Sequence, residues 1–276
     1  MDLTDIGANL CHESFASDLD EVLERAARSG VGRIIVTGTS RPDSEAAAAL
    51  ARRHPGRLRA TAGVHPHEAA TFDEASSAAI ETLAGREEVV AVGETGLDFY
   101  RDFSPRPDQE RAFEAQLEIA ARLGLPVFLH ERAAHRRFVE ILRPVRDRLR
   151  SAVIHCFTGD REDLDAYLDL DLHVGITGWI CDERRGLHLR DLAGRIPADR
   201  LMLETDSPYL LPRDLRPRPR SRRNEPALLA HIAGAVASAT GETVEALAAR
   251  TTATACAFFG LPPAAGAVAG AGSDPR

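Results

Sequence analysis

The sequence predicts one α/β domain built as a TIM-type (β/α)8 barrel. The length of 276 residues suits that fold, which typically needs about 250 residues. Eight short apolar runs rich in Val, Ile and Leu alternate with helix-like stretches along most of the chain. An open doubly wound sheet is the alternative, but no Gly-rich phosphate loop follows the first run, which favours the closed barrel.

The apolar runs predict strands, and the segments between them predict helices. The predicted strands are 3–8, 33–38, 59–64, 89–94, 126–130, 152–156, 172–177 and 201–206. The predicted helices are 18–29, 42–53, 76–85, 108–123, 134–142, 161–168, 190–195, 226–240 and 243–259. Residues 261–276 are of low complexity without a hydrophobic period, so we expect a single domain over 1–260 and a disordered tail over 261–276.

Composition and charge limit the classes of function. A formal net charge of −8 argues against binding nucleic acid through bulk electrostatics, so a protein acting on nucleic acid would need local cations. The four cysteines are scattered and include no C-x-x-C pair, which suggests neither a disulfide framework nor a cysteine zinc site. Neither a signal peptide nor an apolar run of about 18 residues is visible, so we expect a cytoplasmic protein without a membrane segment. A monomer is the default expectation.

The polar residues that close the apolar runs point to a metal site. In a barrel of this type the active site lies at the carboxyl ends of the strands. Glu94, His130, His155 and Asp206 each follow an apolar run, where an unpaired charge is costly to bury. Taken singly, each could be a hydrogen-bonded core histidine or an ion-paired acid. Four at strand ends favour a shared divalent cation, because imidazole nitrogen and carboxylate oxygen are common ligands.

Two further features indicate possible substrate contacts. His65 and His67 follow the third run in the sequence His-Pro-His and could be ligands, substrate contacts or surface residues; we expect His65 to contact substrate. The segment 213–223 places six arginines directly after the last run. Guanidinium groups bind phosphate oxygens in pairs, which favours an anionic substrate. The alternative is a solvated loop paired with surface acids.

Seven short motifs are spread along the chain. They are Thr-Gly-Thr at 37–39, Ala-Gly-Val-His-Pro-His at 62–67, Gly-Glu-Thr-Gly-Leu-Asp-Phe at 93–99, His-Cys-Phe-Thr-Gly at 155–159, Gly-Ile-Thr-Gly-Trp-Ile-Cys-Asp-Glu-Arg-Arg-Gly at 175–186, Glu-Thr-Asp-Ser-Pro-Tyr-Leu-Leu-Pro-Arg at 204–213 and Arg-Arg-Asn-Glu-Pro at 222–226. This set resembles the motifs of the TatD family of metal-dependent deoxyribonucleases, and the resemblance extends to Gly260. The resemblance implies a barrel of the metal-dependent hydrolase superfamily, adapted to phosphodiesters. It also implies a magnesium-dependent exonuclease that removes nucleotides from the 3′ end of single-stranded DNA or RNA.

Roles for individual residues follow from the same resemblance. It implies that Glu94, His130 and His155 bind the metal and that Asp206 is the acid at the end of the last strand. We expect Mg²⁺, with Mn²⁺ or another divalent cation as alternatives. As a mechanism, the metal would lower the pKa of a bound water while Asp206 accepts its proton. The residues expected to hold a substrate phosphate are Arg132, Arg222, Arg223 and Asn224.

The first strand departs from the family pattern. Most members open with Asp-x-His-x-His, whereas this chain has Asp5-Ile6-Gly7-Ala8-Asn9. Losing two imidazoles leaves a site richer in oxygen, which suits Mg²⁺ or Mn²⁺ better than zinc. We therefore expect one firmly bound metal, and any second ion only weakly bound with substrate phosphate as a ligand.

Two other functions remain open at the level of sequence. The same barrel chemistry supports a metal-dependent deacylase or amidohydrolase, for example one acting on aminoacyl-tRNA, because a fold does not fix a function. With Gly7 and Asn9 in place of histidines, the chain could also bind nucleic-acid ends without cutting them.

Overall fold

The computed structural model describes residues 1–263 as an eight-stranded parallel barrel surrounded by helices. The strands lie in chain order around the barrel, and each pairs in parallel with the next. They are β1 (Leu3–Ala8), β2 (Val31–Val36), β3 (Leu58–Ala62), β4 (Val89–Asp98), β5 (Val127–Arg132), β6 (Ala152–Ile154), β7 (His173–Ile176) and β8 (Leu201–Leu203). The predicted fold class is confirmed.

Helices connect the strands, and within residues 1–263 two helices follow the last strand. They are α1 (Leu19–Arg28), α2 (Arg41–Arg53), α3 (Glu74–Ala84), α4 (Arg106–Leu123), α5 (His135–Leu142), α6 (Arg161–Asp169), α7 (Leu187–Ala193), α8 (Leu229–Thr240) and α9 (Val244–Phe259). Local sequence sets several of their ends. The Ser40 side chain caps α2, Asp160 and Asp163 form a capping box on α6, and Gly124 ends α4 in the left-handed region.

The element bounds differ from the prediction mainly around β4, β8 and α7. β4 runs to Asp98, because Thr95 to Asp98 pair in register with the second half of β5. β8 ends at Leu203, three residues before the predicted end, and α7 begins at Leu187 rather than at 190. The predicted division of the chain at residue 260 stays a prediction, since residues 264–276 of the tail lie outside the described residues.

The barrel is packed inside and open at the carboxyl ends of the strands. Ile6, Phe128 and Met202 belong to a buried cluster that also contains Phe258 and Phe259 at the end of α9. A larger cluster fills the space between the strands and the helices. Within residues 1–263, no single helix has the length and apolarity needed to cross a membrane; the segments 226–240 and 244–259 meet that criterion only jointly, with a bend of 105° between them.

Side-chain contacts and isolated backbone hydrogen bonds close the barrel between β8 and β1. Asp206 N donates to Gly7 O at 2.8 Å, and Asn9 N donates to Ser207 O at 2.7 Å. Below them, Asp5 accepts from Thr205 N at 2.9 Å and from Thr205 Oγ1 at 2.6 Å. These contacts fix the two loops that carry Asn9 and Asp206, so the seam positions part of the carboxyl-end surface.

The buried Asp5 carboxyl gives the seam a pH dependence. Burial raises its pKa from 3.8 to about 7, although hydrogen bonds from Thr205 and Gly7 oppose the shift. Between these two values the folded state binds more protons than the unfolded state, so this group makes stability fall as pH rises from about 4 to about 7. We expect the stability of Asp5→Asn relative to wild type to rise by on the order of 4 kcal/mol over that interval. Urea unfolding at several pH values measures it, and a pH-independent difference would contradict the assignment.

Candidate active site

A cavity of about 850 Å³ opens at the carboxyl ends of the strands. Residues of β4 and β5 and of the loops after β1, β3, β6 and β8 line it, including Asn9, His65, Glu94, His130, His155 and Asp206. A smaller groove of about 550 Å³ lies between α4 and α5, where surface ion pairs such as Arg148–Glu118 line it. The strand-end cavity is therefore the one that gathers the chemistry-bearing side chains.

Glu94 lies at the centre of three imidazole rings. Its Oε1 atom is 2.9 Å from His130 Nδ1, 3.1 Å from His155 Nε2 and 3.3 Å from His65 Nε2. Burial alone would raise the pKa of Glu94, but the neighbouring His155 and His65 outweigh it and hold that pKa well below its ordinary value. The carboxylate is therefore anionic and shared by three nitrogen donors.

The surrounding histidines differ in charge. Burial lowers the pKa of His65 to about 4, so this ring is neutral near pH 7. Burial also opposes charge on His155, but Glu204 and Glu94 on its two sides raise its pKa well above the ordinary value. A metal would therefore meet a neutral His65 and would displace a proton from His155.

The donor set fits a divalent cation. Donor atoms of His65, Glu94 and His130 all lie within 4.8 Å of one another. His130 Nε2 is buried without a hydrogen-bond partner among the described residues, and the nearby Asp98 Oδ2 is 3.6 Å away. A cation would neutralise the Glu94 carboxylate and bind the unpartnered His130 Nε2. Both groups are buried, and burying a charge or a polar atom is costly unless it is neutralised or bound.

The structure brings Glu94, His130, His155 and Asp206 to one cavity, as the sequence predicted. It places His65 beside Glu94 among the possible ligands, whereas the sequence suggested a substrate contact. Asp206 has φ +53° and accepts from Asn9 Nδ2 at 3.1 Å, and burial raises its pKa to about 7. Arg132 also lines the cavity, with its guanidinium 4.4 Å above the Tyr100 ring.

The predicted phosphate contacts of the segment after β8 need correction. Asn224 is fully buried, where its amide donates to Thr205 O and accepts from Glu225 N, each at 2.9 Å. Arg223 donates to both carboxylate oxygens of Asp18, at 2.8 and 2.7 Å. Arg222 is exposed and does not line the cavity. Asn224 and Arg223 thus anchor this segment to β8 and α1, and their polar groups are already used.

Glu204 is a site residue that sequence reasoning missed. It is fully buried and accepts from His155 Nδ1 at 2.9 Å and from Cys156 N at 2.5 Å. Its carboxylate fits because Gly7 and Gly175 have no side chains: a Cβ on Gly7 would lie 2.6 Å from Glu204 Oε2. The Glu204 carboxylate therefore occupies the space that a side chain at position 7 would need. The signal in the sequence was the spacing of Glu204 and Asp206 in Glu-Thr-Asp.

Asp98 is a second missed residue of the cavity. It lies at the end of the extended β4, where its Oδ2 atom is 2.8 Å from His67 Nε2. Burial would raise the pKa of Asp98, but His130, His67 and the Arg101 backbone N–H lower it far below its ordinary value. The spacing of Glu94 and Asp98 puts both acids on one face of a strand, which is the pattern that could have revealed it.

Glu204→Gln tests whether Glu204 positions His155. Glutamine can accept only one of the two hydrogen bonds and carries no charge, so His155 loses its anionic partner. We expect divalent-metal affinity to fall about 10- to 100-fold, because a ligand histidine depends on the acceptor at its other nitrogen. Calorimetric titration with Mn²⁺ measures this. NMR titration of His155 in the metal-free protein should show a lowered pKa, and an unchanged pKa would show that Glu204 has only a packing role.

The fold and the site define a class of protein. An eight-stranded parallel barrel with a carboxylate and imidazoles gathered at its carboxyl end is the arrangement of the metal-dependent hydrolases. Comparison with known proteins narrows this class. The family described as TatD related DNase matches residues 4–260, so the chain belongs to the TatD family.

Relatives and solved structures agree with this membership. The chain is 53% identical over 257 residues to a protein of Klebsiella pneumoniae named 3′-5′ ssDNA/RNA exonuclease TatD, covering 93% of this chain and 97% of that one. A protein of the same name from Erwinia billingiae is 54% identical, with coverage of 94% and 99%. The crystal structure of a TatD homologue from Escherichia coli K12 superposes with a TM-score of 0.85 at 27% identity, covering 94% of this chain and 98% of that one.

Proposed function

We propose that the protein is a metal-dependent 3′-to-5′ exonuclease that hydrolyses phosphodiester bonds of single-stranded DNA and RNA. The observation that carries the proposal is the group of imidazoles around Glu94, next to Asp206, in a chain more than half identical to relatives named for that activity. Polarity of digestion and strandedness come from those names. The cavity supplies independent support through its chemistry.

We assign the metal to Glu94, His130 and His155, with His65 as a further donor beside them. Mg²⁺ is the cation we propose, since Gly7 and Asn9 stand where the family pattern has two histidines and Mg²⁺ prefers oxygen and water ligands. When bound, the cation supplies Lewis-acid polarisation of the phosphate and a lowered pKa of its water. Glu204 holds His155 in the tautomer that presents Nε2 to the cavity.

Asp206 is the proton acceptor in this proposal. It faces the cavity from the loop after β8, and the Asn9 amide fixes the direction of its carboxylate. A pKa of about 7, caused by burial, gives the group a basicity suited to accepting a proton near neutral pH. Its position is held by the backbone bond from Asp206 N to Gly7 O at the barrel seam.

The rim of the cavity supports a single-stranded nucleic acid as substrate. Phe103, Trp179 and Tyr209 line the cavity, and Phe103 and Tyr209 are more than half exposed. Arg185, which also lines it, lies 4.5 Å above the Trp179 ring. Unpaired bases stack on such rings while guanidinium groups contact the phosphate backbone. These local contacts allow nucleic acid to bind although the chain has a net charge of −8.

End-labelled oligonucleotides test the proposal directly. Purified protein is incubated with single-stranded DNA or RNA under Mg²⁺, Mn²⁺ or EDTA, with Glu94→Ala as the control for contaminating nuclease. Stepwise shortening from the 3′ end that EDTA and Glu94→Ala both abolish supports the exonuclease. Turnover of an ester or amide panel without shortening would instead favour the deacylase, and oligonucleotide binding without any product would favour a non-catalytic end-binding protein.

Arg132 and Arg222 form a matched pair for substrate binding. Arg132 lines the cavity above Tyr100, whereas Arg222 lies outside it. Arg132→Ala is expected to raise KM for an oligonucleotide about 10- to 100-fold, because a charge-assisted phosphate contact contributes about 1.5 to 3 kcal/mol. Arg222→Ala should change KM less than twofold. Steady-state kinetics at two salt concentrations measure the two KM values. Equal effects of the two variants would show that the substrate also contacts the segment after β8.

We also propose that the protein acts as a cytoplasmic monomer with Mg²⁺ as its cellular metal. The four cysteines are free, which suits a reducing compartment. Sedimentation of the purified protein and metal analysis of protein isolated from cells test these two points.

A further inference from the structure

A second group of ligand-type side chains lies outside the cavity. Cys181, Asp214 and His231 bring a thiol sulfur, a carboxylate oxygen and an imidazole nitrogen within 4.8 Å of one another. His231 Nε2 is 2.7 Å from Asp214 Oδ1. None of the three lines the strand-end cavity. The group is therefore separate from the histidines around Glu94 and has no part in the proposed reaction.

Three different elements converge at this point. Cys181 ends the 3-10 turn Gly178–Cys181 after β7, Asp214 lies in the segment after β8, and His231 is in the first turn of α8. The turn after β7 contacts α8 and packs closely against the segment after β8. Gly178 makes that approach possible, because a Cβ there would lie 2.5 Å from Leu210 O. Tertiary packing alone brings the three donors together.

The chemistry of the group suits a borderline-soft transition metal. Cys181 is fully buried, whereas the side chains of Asp214 and His231 are each 35% exposed, so solvent reaches the group from the side of Asp214 and His231. Thiolate, imidazole and carboxylate are the three ligand types of Zn²⁺, and an open side leaves room for water as a fourth ligand. Burial, together with Asp214, raises the pKa of the Cys181 thiol to about 12. The metal-free thiol thus keeps its proton, and binding releases that proton to solvent.

We propose that Cys181, Asp214 and His231 form a binding site for a divalent transition metal of the zinc type. The metal would tie the start of the segment 213–223 to α8 and to the turn after β7. Arg213, next to Asp214, is 3.6 Å from Asp182, the neighbour of Cys181. Asp182 also holds Arg185 at 3.3 Å, and Arg185 lines the cavity. Through Arg213 and Asp182, the metal would therefore stabilise the position of Arg185 at the cavity rim.

Cobalt titration of the full-length, metal-stripped protein tests the site. Co²⁺ bound by a thiolate absorbs strongly in the near ultraviolet, whereas Co²⁺ bound only by imidazole and carboxylate does not. We expect this band to saturate at one Co²⁺ per chain in wild type and in Glu94→Ala, and to be lost in Cys181→Ser. Cys156→Ser is the matched control, because Cys156 is the thiol beside the other metal group, and it should keep the band.

Three outcomes would overturn the proposal: no thiolate band in wild type, a band that persists in Cys181→Ser, or a band that disappears in Cys156→Ser. His231→Ala changes a half-exposed side chain and should also abolish the band, so the test holds even if Cys181→Ser does not fold. Trypsin gives a second measurement in the Glu94→Ala background. Zn²⁺ should slow cleavage after Arg220 about tenfold, by stabilising the packed arrangement of the segment 213–223, and should have no effect once His231→Ala is added. Equal cleavage with and without Zn²⁺ would contradict the link to this segment.

Discussion

Asp206→Asn is expected to lower kcat about 10³-fold while leaving divalent-metal affinity within a factor of a few. Asparagine keeps the shape of the side chain, but it cannot accept the proton of an attacking water. Loss of a positioned general base typically costs 10²- to 10⁴-fold. Steady-state kinetics on a single-stranded oligonucleotide and calorimetric titration with Mn²⁺ measure the two quantities separately.

The control for Asp206→Asn is Asp43→Asn, which neutralises an exposed acid lining the same cavity. It should leave kcat within twofold of wild type. If Asp206→Asn weakens metal binding as much as it lowers kcat, Asp206 is chiefly a ligand and another group accepts the proton. The pH profile distinguishes the roles as well. If Asp206 is a general base with a raised pKa, the rate should fall as the pH drops below the pKa of Asp206 in the metal-bound enzyme.

Glu94→Ala is expected to abolish activity and to weaken divalent-metal binding by at least about 100-fold. Glu94 contributes the negative charge at the centre of the group, and three imidazole rings contact its Oε1 atom. Without it, the remaining imidazoles repel a cation whenever they are protonated. Calorimetric titration and the end-labelled oligonucleotide assay measure the two effects.

Glu68→Ala is a suitable control for Glu94→Ala, since Glu68 lines the same cavity but is exposed. It should retain both metal binding and exonuclease activity. Circular dichroism and thermal unfolding establish that Glu94→Ala is folded. Metal-dependent shortening by folded Glu94→Ala at wild-type rates would show that catalysis does not depend on this group, and the assignment of the metal would fail.

The sequence carried enough information to predict the barrel and the position of the site. Each buried parallel strand is a continuous apolar run, and such runs can be recognised without tertiary information. Their regular alternation with helix-like segments predicts the barrel. A parallel barrel gathers the carboxyl ends of all its strands at one rim. Glu94, His130, His155 and Asp206 could therefore be assigned to one place although 112 positions separate the first from the last.

The sequence did not predict which polar groups face one another. Arg223 and Asn224 follow a strand end in an arginine-rich segment, so they were predicted to bind phosphate. Their partners, Asp18 and the Thr205 carbonyl, become visible only when α1, β8 and this segment are packed together. Side-chain pairing depends on through-space distances of about 3 Å, and spacing along the chain does not encode those distances.

By itself, the sequence determined the barrel, its family and the end of the barrel where chemistry occurs, because hydrophobic periodicity and residue type are local properties. Tertiary structure decided the rest. It placed Glu204 in the space left by Gly7 and Gly175, 2.9 Å from His155, and it brought Cys181, Asp214 and His231 together from three elements. Both arrangements depend on the close packing of distant segments, where the absence of one Cβ or the direction of one loop determines which atoms meet.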